Sequence, residues 1–274
     1  MNKQKTTILI RPAARGGKYL GHDAANAKNH SALVALLLPA TGKVITHAFA
    51  KAPTTQSAGP LQLMGCTKRN DPFATDSDTV HARLSVEIDE PTVFRVVVYG
   101  PLSHSNQARM AQADITVLPG VDIGLSQQYP EGLVVEVPGL CISNVTSELQ
   151  GKQLTCTARV AMMCGCQIHQ GAADPYWPWP DTDFSVQLVT LMRSKAVFYY
   201  PLAFDTTPGS VSSFTGQWPS QAVPGDTVEQ AWVYASEPKL GNQGEYRIFS
   251  PQAVPSLLPP ELQKLLAAAD HETL

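Results

Sequence analysis

The stretch HARLSVEIDEPTVFRVVVYGPL, from His81 to Leu102, carries the pattern that decides the fold class. Apolar residues occupy every second position from Ala82 to Ile88, which is the spacing of a β-strand with one buried face. The sequence Asp89-Glu90-Pro91 then turns the chain, and a second run rich in β-branched residues returns it. The stretch therefore predicts strand, turn and strand.

The same pattern recurs on both sides of this stretch. The sequence from Ser31 to Ala50 predicts a hairpin with its turn at Pro39 to Lys43, and further short strands follow from Gly132 to Phe249. Only 16% of the residues are charged, and there are 22 prolines and 19 glycines. Few charges and many turn residues are typical of short strands in an all-β protein.

The strands fall into two series, which predict two consecutive immunoglobulin-like antiparallel β-sandwich domains. The predicted domains are 1–122 and 123–255, with the hinge in the stretch 120–132, which is rich in Gly, Pro and Gln. The sequence EQAWVYASEPKLGNQGEYRIFS, at 229–250, resembles the last hairpin of immunoglobulin-like or fibronectin-type domains. The resemblance covers that hairpin and implies a sandwich for the second half.

The tail, 256–274, has a different pattern. Leu262, Leu265, Leu266 and Ala269 follow the i, i+3, i+4, i+7 spacing of a short amphipathic helix. A helix of this length needs a surface to pack on. We expect it to dock on the second sandwich; the alternative is an arm that holds a partner subunit, as in a homo-oligomer.

Several classes of function find no signal in the sequence. The net charge of −3 gives no electrostatic basis for nucleic-acid binding. No run of apolar residues is long enough to span a membrane, and the first residues lack the apolar region of a signal peptide, which predicts a cytoplasmic protein. No nucleophile elbow, zinc-protease or dinucleotide motif is present, so nothing indicates an enzyme, although catalysis stays open.

The segment AMMCGCQIHQGAADPYWPWPDTDF, from Ala161 to Phe184, holds the candidate metal site. From Leu154 onward the even positions are all apolar, which predicts a strand with Cys156, Cys164 and Cys166 in the core. Such a strand would exceed the roughly ten residues at which strands usually end, and Gly165 is the expected break.

A break at Gly165 would place Cys164 and Cys166 at the rim of the sandwich, within reach of His169 and Met162. Thiolate, imidazole and thioether ligands suit copper or zinc. Three interpretations stay open: buried cysteines without a function, a soft-metal site, and a redox or nucleophilic thiol. A disulfide between these two cysteines would close a very small ring.

An aromatic loop stiffened by prolines follows and predicts a binding surface. It carries Tyr176, Trp177 and Trp179, and then the polar residues Asp181 and Asp183. The leading prediction is a non-catalytic binding or accessory protein that contacts another protein, a subunit or a small ligand through the rim from Met162 to Asp183. The alternatives are a copper or zinc protein, a thiol redox protein, and a structural subunit of a larger assembly.

Overall fold

The structure is a computed structural model with side chains. It describes residues 2–16, 18–20, 30–51, 80–102, 106–124, 132–150, 153–171, 179–208, 210–219, 227–249 and 258–272. The predicted site residues Tyr176 and Trp177 lie outside these ranges. Within the described ranges, no helix is both long and apolar enough to cross a membrane.

The chain forms two compact units. The first comprises Met1–Val137 together with Val254–Leu274, and the second comprises Pro138–Ala253. All four tryptophans of the chain, at 177, 179, 218 and 232, belong to the second unit.

The first unit is a sandwich of two four-stranded sheets. Its strands are β1 Gln4–Ala14, β2 Lys18–Tyr19, β3 His30–Leu37, β4 Val44–Lys51, β5 Ala82–Ile88, β6 Thr92–Gly100, β7 Arg109–Val117 and β8 Leu133–Val137. One sheet has the order β2-β1-β5, with β8 also paired to β1, and the other has the order β4-β3-β6-β7. The two layers meet where β4 packs against β5 and β7 against β8.

The stretch from His81 to Leu102 forms the predicted strand, turn and strand. Its two strands belong to different sheets and do not pair with each other. Strand β5 pairs with β1, whereas β6 pairs with β3 and β7. The turn therefore carries the chain from one sheet to the other. The side chains of β5 alternate strictly between buried and exposed, as the sequence predicts.

The predicted domain boundary after residue 122 differs from the division of the structure. Strand β8 pairs in parallel with β1 over Ile10–Ala14, so the first unit extends to Val137. A parallel pair needs a long crossover connection, and the sequence pattern of β8 does not distinguish parallel from antiparallel pairing. Apart from this pair, the strands named here pair antiparallel within the described ranges.

The tail helix α1, Pro260–Glu272, packs on the first unit, so the expectation that it docks on the second sandwich is wrong. Leu258 and Leu262 share an apolar cluster with residues of β3 and β6, namely Leu33, Ala35, Leu37 and Val97. The physical reason is that β3 is buried on both faces. One face of β3 packs against the other sheet of the unit. The opposite face is apolar, and α1 covers it and excludes water.

The second unit is also a β-sandwich. Its strands are β9 Leu140–Gln150, β10 Gln153–Met162, β11 Ser185–Met192, β12 Val197–Phe204, β13 Ser213–Pro219, β14 Val228–Glu237 and β15 Asn242–Phe249. The order is β15-β14-β11-β12-β13-β10-β9, and β9 also packs against β14 and β15, so the path of strands folds into two layers. The predicted last hairpin is β14 and β15.

The predicted fold class is therefore confirmed. The described part of the chain is all-β, with two sandwich units and a short C-terminal helix.

Candidate functional site

Strand β10 carries the chain to one end of the second unit. Cys156, Ala158, Val160 and Met162 are at most 1% exposed, whereas the positions between them are partly exposed. This alternation is the one predicted from the sequence, and it places Cys156 in the core. Burial raises the pKa of the Cys156 thiol to about 11.

The strand ends in a tight turn at the predicted position. The backbone N–H of Gly165 donates to the carbonyl of Met162 at 2.8 Å, and the N–H of Met162 donates to the carbonyl of Cys166 at 3.0 Å. Gly165 has a φ of +80°, which residues with a Cβ rarely adopt. After the turn, Gln167 pairs antiparallel with Ala161, so the chain runs back beside β10.

Cys164 and Cys166 are joined by a disulfide across this turn, and each residue is 2% exposed. Bonded sulfurs are not thiolates, so in this form they are not the predicted soft-metal ligands. In the described part of the chain, no three His, Cys, Asp or Glu side chains are grouped so as to hold a metal ion. The predicted copper or zinc site at Cys164, Cys166, His169 and Met162 thus has no support there.

Other sulfur atoms lie in the same region of the core. Met162 and Met163 are both 1% exposed, and the Sγ of Cys141 lies 3.6 Å from the Sδ of Met163. Met162 is therefore a packed core residue at the end of β10, and it presents no surface at the rim.

Ser212 fixes the returning segment in place. Its hydroxyl accepts the N–H of Ile168 at 2.6 Å and donates to the carbonyl of the same residue at 3.2 Å. Its own carbonyl accepts the N–H of Val160 at 2.9 Å. Ser212 is fully buried and has a φ of 53°, so a strained residue is held where it satisfies three backbone groups.

Two open cavities of about 450 Å³ each lie on the surface beside this segment. They share Gln167, Ser210 and Val211, and together we call them the rim groove. The first cavity also has the lining residues Ile168, His169, Gln170, Phe204, Asp205, Thr206, Thr207 and Pro208. The second also has Asn144, Thr157, Arg159 and Ser213.

Asp205 supplies a fixed acceptor to the first cavity. One carboxylate oxygen accepts the Ser210 hydroxyl at 2.6 Å, and the other accepts the N–H of Thr207 at 3.0 Å. These hydrogen bonds, first that from Ser210 and then those from Thr207, hold the pKa of Asp205 below its ordinary value. The carboxylate is therefore ionised at neutral pH.

The structure places the other predicted site residues as follows. His169 lines the first cavity, and its Nδ1 lies 3.1 Å from the carbonyl oxygen of Gln170. The carboxylate of Asp181 accepts the N–H of Gly171 at 3.0 Å, and Asp183 forms an ion pair with Lys239 at 2.6 Å. Trp179 is partly buried, and its indole N–H has no hydrogen-bond partner among the described residues.

Sequence reasoning missed most of the groove. Gln167 lies in the predicted rim and Arg159 precedes it on β10, but Asp205 and Ser210 come from a segment that no sequence pattern joins to the rim. The signal that was available is the polar run Asp205-Thr206-Thr207, a typical turn cluster at the end of β12. Its position opposite Gln167 depends on strand pairing alone.

No protein-family model matches the sequence, and no curated protein matches it. A DUF3823 family protein from Bacteroides ovatus is similar over 88% of this chain and 96% of its own, with 11% identity and a TM-score of 0.28. A DUF3823 family protein from Parabacteroides merdae is similar over 90% of this chain and 99% of its own, with 7% identity and a TM-score of 0.27. Neither similarity bears on function.

Proposed function

We propose that the chain is a non-catalytic binding or accessory protein that contacts its ligand or partner through the rim of the second unit, the segment from Met162 to Asp183. Met162 supports this rim from the core, and the contact surface begins at the partly exposed Gln167. The observation that carries the proposal is the position of Gln167, which lines both cavities of the rim groove. Each cavity falls within the range of about 300–1,000 Å³ that is usual for ligand sites.

The construction of the rim supports binding. A disulfide, the Ser212 hydrogen bonds and two bridges fix the backbone from Cys164 to His169. Preorganised side chains lose little conformational entropy when a ligand binds, so rigidity of this kind raises affinity. Most polar groups of the groove are side-chain amides and hydroxyls, which suit recognition, and Asp205, Arg159 and His169 are the exceptions.

The test uses three proteins. We suggest presenting the wild type, Gln167→Trp and Val197→Trp to a random-peptide display library and to a glycan array. Gln167→Trp places bulk in both cavities. Val197 is 42% exposed on the same unit and lines neither cavity, so Val197→Trp is the matched control. We expect at least one ligand that Val197→Trp retains and Gln167→Trp loses; identical ligands for all three would refute the proposal.

The second candidate is a thiol redox protein, and the disulfide between Cys164 and Cys166 favours it. We propose that two molecules of a thiol reductant such as glutathione reduce the pair, so that the protein gains two thiols and the reductant leaves as one glutathione disulfide. Native protein would be equilibrated in glutathione buffers, alkylated and weighed by mass spectrometry. Reduction in the folded state supports the redox function, whereas reduction only after unfolding makes the pair a structural cross-link.

A further inference from the structure

We propose that the ligand of the rim groove is a neutral carbohydrate chain, an inference that rests on the proposed function. The polar groups of the groove are mainly uncharged. Gln167, Gln170 and Asn144 supply amides, and the hydroxyls come from Thr157, Thr206, Thr207, Ser210 and Ser213. Amides and hydroxyls both donate and accept hydrogen bonds, as the hydroxyl groups of a sugar do.

The charges of the groove disfavour ionic ligands. Asp205 in the first cavity and Arg159 in the second are of opposite sign, and they balance each other. A polyanion would meet one arginine and then a carboxylate that its hydrogen bonds keep ionised. The carboxylate can still accept further hydrogen bonds, because two oxygens offer about four lone-pair positions.

The shape of the groove fits a ligand of repeating units. Two cavities of similar size lie side by side and share the lining residues Gln167, Ser210 and Val211, so adjacent units of one chain ligand can occupy one cavity each. Phe204 adds an apolar surface to the first cavity. Its ring meets the buried ring of Phe214 edge-on, with centroids 5.4 Å apart, which holds the ring in place, and an aromatic ring suits the C–H groups of a sugar.

The backbone of the groove is less suited to an extended peptide. Peptides that add to a sheet need free backbone N–H and carbonyl groups. Here the N–H of Ile168 is taken by Ser212, and that of His169 donates to the carbonyl of Trp179 at 3.1 Å. The carbonyl of His169 accepts the N–H of Asp181 at 2.8 Å. The groove therefore offers side chains rather than a strand edge.

The experiment is a glycan array that includes neutral oligosaccharides, polyuronates and sulfated glycans, followed by calorimetric titration of the strongest neutral oligosaccharide. We expect neutral glycans to bind the wild type and Val197→Trp equally. Gln167→Trp should weaken binding by roughly tenfold or more, as loss of a central contact does. Asp205→Asn should weaken it less, because the amide keeps one acceptor oxygen.

Thermal unfolding of each variant confirms that it is folded before binding is measured. Binding that depends on Gln167 but is confined to peptides or anionic glycans would overturn the carbohydrate inference and leave the proposed rim function standing. No Gln167-dependent binding to the array or to the peptide library would overturn both. Neutral-glycan binding that Gln167→Trp leaves unchanged would also overturn the inference.

Discussion

The hydroxyl oxygen of Ser212 lies 2.6 Å from the backbone nitrogen of Ile168 and 3.2 Å from the carbonyl oxygen of the same residue. A single buried side chain thus satisfies both backbone groups of the segment that returns from the disulfide turn. The neighbours of these two residues, Gln167, Val211 and Ser213, line the rim groove. The geometry of the groove consequently depends on a residue that does not line it.

We predict that Ser212→Ala destabilises the second unit. The substitution leaves the buried N–H of Ile168 without its partner, which costs about 1–3 kcal/mol. Urea unfolding followed by tryptophan fluorescence measures this, because all four tryptophans belong to that unit. Ser212→Gly should lower the free energy of unfolding less. It loses the same hydrogen bonds, but glycine adopts a positive φ without the strain of roughly 1 kcal/mol that serine has there. Equal stability of Ser212→Ala and wild type would contradict the role assigned to this hydroxyl.

We predict that the cysteines titrate in two groups. Among the described cysteines, Cys164 and Cys166 form the disulfide, whereas Cys141 and Cys156 are free. In unfolded protein without reductant, a thiol reagent should therefore modify Cys141 and Cys156 but not the other two, and after reduction it should modify all four. In the folded protein Cys141 and Cys156 should react slowly, because both are buried. Peptide mapping that finds Cys164 or Cys166 alkylated in unreduced protein would contradict the pairing.

We predict that stability decreases in alkaline solution through Cys156. The thiol has a pKa of about 11 in the folded protein, against an ordinary value of 9.0. Below pH 9.0 both states keep the proton. Between the two values only the unfolded state loses it, so the free energy of unfolding falls by at most about 1.4 kcal/mol per pH unit.

The matched variant for this pH dependence is Cys156→Ala, which has no thiol to titrate. Other groups titrate in the same range, so the free energies of unfolding of the two proteins should be subtracted at each pH. The difference in unfolding free energy should be constant below pH 9.0 and should change as the pH rises toward about 11. If this difference stays constant over the whole pH range, burial does not raise the pKa of the Cys156 thiol.

We predict that the tail helix stabilises the first unit. Leu262 is fully buried in the cluster with Leu33 and Val97, so Leu262→Ala should cost about 2–5 kcal/mol. Lys264→Ala on the exposed side of the helix is the control. For Leu262→Ala, the unfolding midpoint measured by circular dichroism should decrease. The midpoint measured by tryptophan fluorescence, which reports on the second unit, should stay the same. A shift in fluorescence alone would contradict this placement.

Removal of the tail distinguishes two hypotheses for α1, namely an arm that holds a partner subunit and a helix that packs within its own chain. A chain that ends at Pro255 lacks the helix and uncovers the apolar face of β3. We expect it to be less stable and prone to association, because it exposes a large apolar surface. If the helix were instead an arm between subunits, the shortened chain would be a smaller, stable species on sizing.

The sequence by itself determined the elements. Alternation with a period of two specifies which side chains of β5 and β10 are buried, and glycine at position 165 specifies a turn, because both depend on local geometry. The helical spacing of Leu262, Leu265 and Leu266 was equally local. Each of these predictions needed only neighbours along the chain.

Only the tertiary structure decided which surfaces the strands and the helix pack against. The parallel partner of β1, the sheet under α1 and the loop opposite Gln167 all join residues that are far apart in sequence. The hydrophobic effect is not directional, so an apolar stripe specifies that it must be buried but not against which surface. The disulfide between Cys164 and Cys166 is by contrast a local feature, because the two residues flank the turn at Gly165.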